Sequence, residues 1–128
     1  MKDITEKEFS DFIYEELQVL EYEEVLSNPT VESVFPLLEL HTPLKNIDKT
    51  ENGFPVYSTF RVTITSWNAL QRECMEMSNK IDEILREKNI LRVGQTPARY
   101  DPILQKYAID NSYEVKYNAL CGSFNLIK

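Results

Sequence analysis

The stretch from Phe54 to Trp67, FPVYSTFRVTITSW, alternates along its length. Phe54, Val56, Phe60, Val62 and Ile64 share one parity, and Tyr57, Thr59, Arg61, Thr63 and Thr65 share the other. Successive side chains of a strand point to opposite faces, so the pattern predicts a half-buried strand. Phe60, Val62 and Ile64 are expected to pack on helices, and the face carrying Thr59, Arg61 and Thr63 is expected to be free in an isolated subunit. Trp67 is expected to pack under the helix that begins directly after it.

Two helices are legible. Thr5 and Glu8 form a capping-box pair, and Ile4 with Phe9 fits a hydrophobic staple. Phe9, Phe12, Ile13, Leu17 and Leu20 then follow helical spacing. The second helix is predicted over ALQRECMEMSNKIDEILREK, with Asn68 as N-cap and Gln71 three residues on. Its apolar stripe is Leu70, Cys74, Met77, Ile81, Ile84 and Leu85.

The remaining strands carry weaker signals. Residues 34–44, VFPLLELHTPL, place Val34, Leu38, Leu40 and Leu44 on one parity, and Pro36 and Pro43 point to an edge strand or one interrupted at its ends. The polar segment from Lys45 to Phe54 contains the turn dipeptide Asn52-Gly53, and it is predicted as a protruding loop between antiparallel strands. ILRVGQTPARY reads as a strand kinked at Gly94 and Pro97, and Asp101-Pro102 reads as a turn. Residues 103–109 fit either strand or helix. Tyr113, Val115, Tyr117 and Ala119 alternate cleanly, and Phe124 and Leu126 are expected to continue that strand past a break or bulge at Gly122. The fold class expected is α+β: a mostly antiparallel sheet packed against two helices, in the order α-β-β-α-β-β, forming one domain.

Composition narrows the chemistry. A hydrophobic content of 42% supports a core and argues against disorder. Residues 1–53 hold 13 acids and 4 bases, and residues 54–128 hold 8 acids and 10 bases; balances of −9 and +2 give the net −7. Tight nucleic-acid binding needs clustered Lys and Arg, which this balance does not favour. His41 is the single histidine, and Glu39 is its acidic neighbour of the same parity, read as a solvent-facing pair. Cys74 and Cys121 share no metal-type spacing and are expected to be free thiols in a reducing compartment. The start, MKDITEKEF, has no apolar signal core, and no run approaches a membrane span. The glutamates at 15, 16, 21, 23 and 24 read as a solvated surface without a calcium loop. No catalytic, cofactor or metal residues are expected.

A strand ending in T-I-T-S-W, an amphipathic helix ending I-D-E-I-L, and two following strands rich in Tyr and Val together resemble the tail terminator (tail completion) proteins of long-tailed bacteriophages and prophages. The resemblance covers Val34 to Phe124, with the helix of residues 5–20 matching the family's leading helix. The two prolines in the first strand and the long acidic helical region depart from the commoner pattern. The resemblance implies a non-enzymatic subunit of a ring, generally a hexamer, on the head-proximal end of the tail tube. That ring stops tube growth and offers a docking surface to neck and head-completion proteins. It implies location in the virion, no membrane, and DNA only as passing cargo. The candidate interface comprises Lys45, Asp48, Lys49 and Glu51 of the loop with Tyr57, Thr59, Arg61 and Thr63 of the strand. The alternatives are a head-tail joining or neck connector subunit, and a stand-alone cytoplasmic binding domain.

Overall fold

A computed structural model describes residues 2–25 and 28–125. In chain order the elements are α1 (Glu6–Leu17), a 3₁₀ turn (Gln18–Leu20), β1 (Glu23–Val25), β2 (Leu37–Leu40), β3 (Leu44–Glu51), β4 (Phe54–Asn68), α2 (Gln71–Arg86), β5 (Leu91–Gln95), β6 (Arg99–Asp101), β7 (Lys106–Asn118) and β8 (Ser123–Asn125). The fold is α+β, and its main elements follow the order α-β-β-α-β-β.

β4 and β7 form the centre. They pair antiparallel over twelve successive positions, from Tyr57–Asn118 to Asn68–Tyr107. The other edge of β4 takes β3 along its first half and β2 along its second. The other edge of β7 takes β6, β5 and β8 in turn. β1 adds to β2 in parallel, the exception in an otherwise antiparallel sheet.

Both helices cover one face of this sheet. Phe60, Val62 and Ile64 from β4 and Tyr113, Val115 and Tyr117 from β7 meet Phe9, Ile13 and Leu17 of α1 and Met77, Ile81 and Leu85 of α2. The Phe9 ring stacks on Phe60 with centroids 4.6 Å apart. The capping box of α1 is present: Thr5 Oγ1 accepts from the Glu8 amide, and Glu8 Oε1 accepts from the Thr5 amide, each at 3.1 Å. Glu21, in the left-handed region at φ 58°, follows the 3₁₀ turn. Buried polar groups fix α2 over the sheet. Ser78 donates to Ser66 (3.1 Å), and Asn111 Nδ2 donates to Ser78 Oγ (3.0 Å). A satisfied buried network of this kind favours one seating of the helix over its neighbours.

Several local expectations change. The strand expected over residues 34–44 is two strands, with Pro36 before β2 and Pro43 between β2 and β3. Leu40 lies opposite Ile64, but Leu44 lies opposite Arg61. Four steps on this edge match three on β4, and a one-residue slip turns every later side chain to the other face. Leu44 therefore leaves the core and is 69% exposed, and Val34 is 63% exposed. The loop expected from Lys45 to Phe54 is instead strand β3, closed by a two-residue turn. Asn52 and Gly53 both have positive φ, 52° and 81°, as a type I′ hairpin requires.

On α2 the N-cap is Leu70 without a side-chain cap, and Leu70 itself is exposed. Asn68 Oδ1 accepts weakly from the Leu70 amide at 3.4 Å. Asn68 is instead the last residue of β4, so the strand runs through the predicted cap. β5 bulges between Arg92 and Gly94. Asp101 Oδ1 accepts from the amides of Ile103 and Leu104, so the Asp101-Pro102 turn forms, and β7 begins at Lys106. Gly122 (φ 64°) lies between β7 and β8, and β8 folds back antiparallel on β7 rather than extending it. The expected continuation at Leu126 lies outside the described residues.

Phe60 lies where α1, β4 and β7 meet, stacked on Phe9 and edge-on to Tyr117. Replacing it with Ala leaves a cavity that this rigid junction closes only in part. The expected loss is about 3–5 kcal/mol of stability. A lowered urea midpoint at unchanged slope is the measurement that checks it.

Candidate functional site

The face away from the helices is built by the odd-numbered positions of β4. Its cross-strand pairs are Tyr57–Asn118, Thr59–Lys116, Arg61–Glu114 and Thr63–Ser112. Along this stretch Thr59 and Thr63 are half-buried, while Tyr57 and Arg61 are exposed. Arg61 is not a bare cation: its Nε and Nη2 lie 2.9 and 2.6 Å from Glu114 Oε1. A shallow depression of 410 Å³ beside it is lined by Leu44, Lys45, Asn46, Thr59, Arg61 and Glu114.

The remaining interface candidates separate into two groups. Asp48 lies at a bulge in β3 and accepts from Asn46 Nδ2 (2.7 Å) and Thr59 Oγ1 (2.6 Å). Lys49 and Glu51 form a loose surface pair at 3.6 Å, and the Lys49 ammonium lies 5.8 Å from the Tyr57 ring centroid. These residues are on the surface. Lys45 is turned inward. Its Nζ donates to Asp3 Oδ2 (2.5 Å) and to the Ile4 carbonyl (2.7 Å), and its side chain is 10% exposed. The reason is register: Lys45 lies opposite Phe60, on the helix side of β3. There it ties the segment preceding α1 to the sheet, which the Lys2 amide also joins by donating to the Ala119 carbonyl at 2.9 Å.

Towards the other end of β4 the same face is closed. Trp67 is buried against Leu37 and Ala108, with Phe35 and Leu104 packed on them. It therefore packs on the face opposite α2 and not under that helix, because its odd parity points it there. Its Nε1 donates to Glu39 Oε1 at 3.0 Å. Glu39 is accordingly buried, and the solvent-facing Glu39–His41 pair expected from sequence is a buried carboxylate 3.7 Å from a part-exposed imidazole.

Three strands are joined by side chains at this point. Thr65 Oγ1 donates to Asp110 Oδ1 (2.6 Å) and lies 2.9 Å from His41 Nε2. With its proton given to the carboxylate, Thr65 accepts from His41, which places a proton on Nε2. Arg99 Nη2 donates to the same Asp110 oxygen at 3.1 Å, and its guanidinium lies 5.2 Å from the Trp67 ring centroid. This arrangement cannot use His41 as a base towards Thr65, since the imidazole proton points at the hydroxyl. It acts as a brace across β4, β7 and β6, with His41 reaching in from just after β2. No sequence pattern marks Thr65, Asp110 and Arg99 as a group. The parity of Thr65 was readable, but its partner depended on where β7 begins.

Cys74 and Cys121 are free thiols. Cys74 lies on the buried stripe of α2, and burial pushes its thiol up to about 11. Among the described residues no group of three or more His, Cys, Asp or Glu is placed to hold a metal ion, and no helix is long and apolar enough to cross a membrane.

No protein-family model matches this chain, and no curated protein matches it.

Removing the shared hydroxyl with Thr65→Val leaves His41 and Asp110 without their common partner. A loss of about 1–3 kcal/mol is expected, and a double-mutant cycle with Asp110→Ala should show coupling between the two sites. The two thiols should also separate by reactivity. At pH 8 almost none of Cys74 is thiolate, so iodoacetamide should label native protein at Cys121 alone and denatured protein at both positions. Mass spectrometry of the labelled peptides reads the difference.

Proposed function

We propose that the protein is a structural assembly subunit of the tail terminator kind, forming a ring on the head-proximal end of a phage tail tube. The observation that carries this reading is the one-sided cover of the sheet. Both helices lie on one face, and the row Tyr57, Thr59, Arg61 and Thr63, with its β7 partners, is left as a broad polar strip. A strip of this kind can line a lumen. Of its two cations Arg61 is paired with Glu114 and Lys116 is exposed, so it lacks the clustered Lys and Arg that hold DNA. An acidic chain adds a field that repels phosphate, and cargo passes without sticking.

On this reading the work is done by surfaces: one towards neighbouring copies, one towards the tube protein and one towards the neck. The sequence pattern from the T-I-T-S-W strand through α2 to the Tyr- and Val-rich strands also supports it, because those elements form the centre of the fold.

The test is electron microscopy of the protein mixed with purified tail tubes, beside the protein alone. Rings at one tube end with growth arrested are the expected result. Tubes that stay uncapped and keep growing would sink the terminator reading.

A further inference from the structure

β2 reads Leu-Leu-Glu-Leu, and all four residues are buried. Leu38 and Leu40 belong to the helix-side core. Leu37 and Glu39 fall on the other face, opposite Trp67 and Thr65 of β4. Glu39 is 3% exposed. A carboxylate so far from water is costly unless it is paired.

The pairing of Glu39 is incomplete. Its Oε1 accepts from the Trp67 indole at 3.0 Å, a neutral donor. His41 Nε2 lies 3.7 Å from that same oxygen, and its proton is directed to Thr65 Oγ1 at 2.9 Å. Among the described residues Oε2 meets no donor. Glu39 lines a depression of 280 Å³ with Pro29, Trp67, Arg99, Asp101 and Leu104. Arg99 donates to Asp110, outside this pair of acids. Asp101 has an oxygen to spare, since its Oδ1 takes the amides of Ile103 and Leu104, both at 2.9 Å. The carboxylates of Glu39, Asp101 and Asp110 thus stand against one permanent cation, Arg99.

We propose that this depression binds a small primary aliphatic amine, with its ammonium on Glu39 Oε2, the charge of Asp101 adding to the attraction, and its short chain against Pro29, Leu104 and Trp67. An ammonium carries three donors on a compact charge and can be met by one oxygen at a time. A guanidinium asks for both oxygens of a carboxylate, and Oε1 is already taken by the indole. A metal ion asks for more ligands: among the described residues no group of three His, Cys, Asp or Glu is placed to hold one. The site goes beyond the ring reading and does not depend on it, because it occupies the Trp67 end of the open face and not the strip from Tyr57 to Thr63.

Trp67 is the sole tryptophan, and its indole is bonded to Glu39, so its emission reads the site directly. The protein is titrated with butylammonium chloride, beside sodium chloride at equal ionic strength and n-butanol at equal concentration. The expected result is a saturable change in emission with butylammonium alone. Glu39→Gln keeps an oxygen for the indole and removes the charge, and it should weaken binding about tenfold or more. Asp101→Asn keeps Oδ1 for the turn amides and should weaken binding about threefold; it serves as the second test should circular dichroism show that Glu39→Gln is unfolded. A saturable response to n-butanol equal to that of the amine would mark a merely apolar hollow and overturn the proposal. So would the absence of any saturable response to butylammonium, or an unchanged affinity in folded Glu39→Gln, or in Asp101→Asn where Glu39→Gln does not fold.

Discussion

The pairing of β4 with β7 is the constraint from which the rest of the molecule follows. Twelve matched positions set Phe60 beside Val115 and Val62 beside Tyr113 on one face, and Arg61 beside Glu114 on the other. The first face becomes the floor of the core, and the second becomes the polar strip. Every other strand of the main sheet except β1 finds its place by pairing with one of these two. The strands are separated by the whole of α2, so the ladder is a non-local contact, and the helix between them is the element best placed to cover it.

How much of this could be read from sequence depended on which force decided each element. The alternation from Phe54 onwards and the capping box at Thr5 are local signals, and both form as expected because nothing tertiary opposes them. The two-helix cover of Phe60, Val62 and Ile64 followed from the same alternation. Leu44 shows the opposite case. Its parity matched Leu40, but the slip through the Pro43 connection is set by pairing with β4, which no local pattern reports. Trp67 lies on the side opposite to the one expected, because its own parity and not its proximity to α2 in sequence decides its face. Residues 103–109 were undecidable since the Asp101 side-chain turn and the start of β7 occupy one short stretch.

The open face divides into two regions with different physical character. Around Arg61 the polar groups are exposed and paired across strands, a surface ready to meet water or another chain. Around Thr65 the polar groups are buried or half-buried and bonded to one another, with Trp67 shielding them. Lys45 follows the same logic on the other side of the sheet. In sequence it is a candidate interface residue of a polar loop, and register makes it an anchor for Asp3 and Ile4.

The two edges of the central pair are tiled by short strands: β2 and β3 on one, and β6, β5 and β8 on the other. Short tiles have short cooperative lengths. One of them can fray or re-seat while the β4–β7 ladder keeps its bonds, since opening free energies differ between segments of one fold. The molecule thus combines a stiff spine with compliant borders. Neighbours that do not match perfectly can be accommodated at the rim, with the misfit absorbed a few residues at a time and kept from the core.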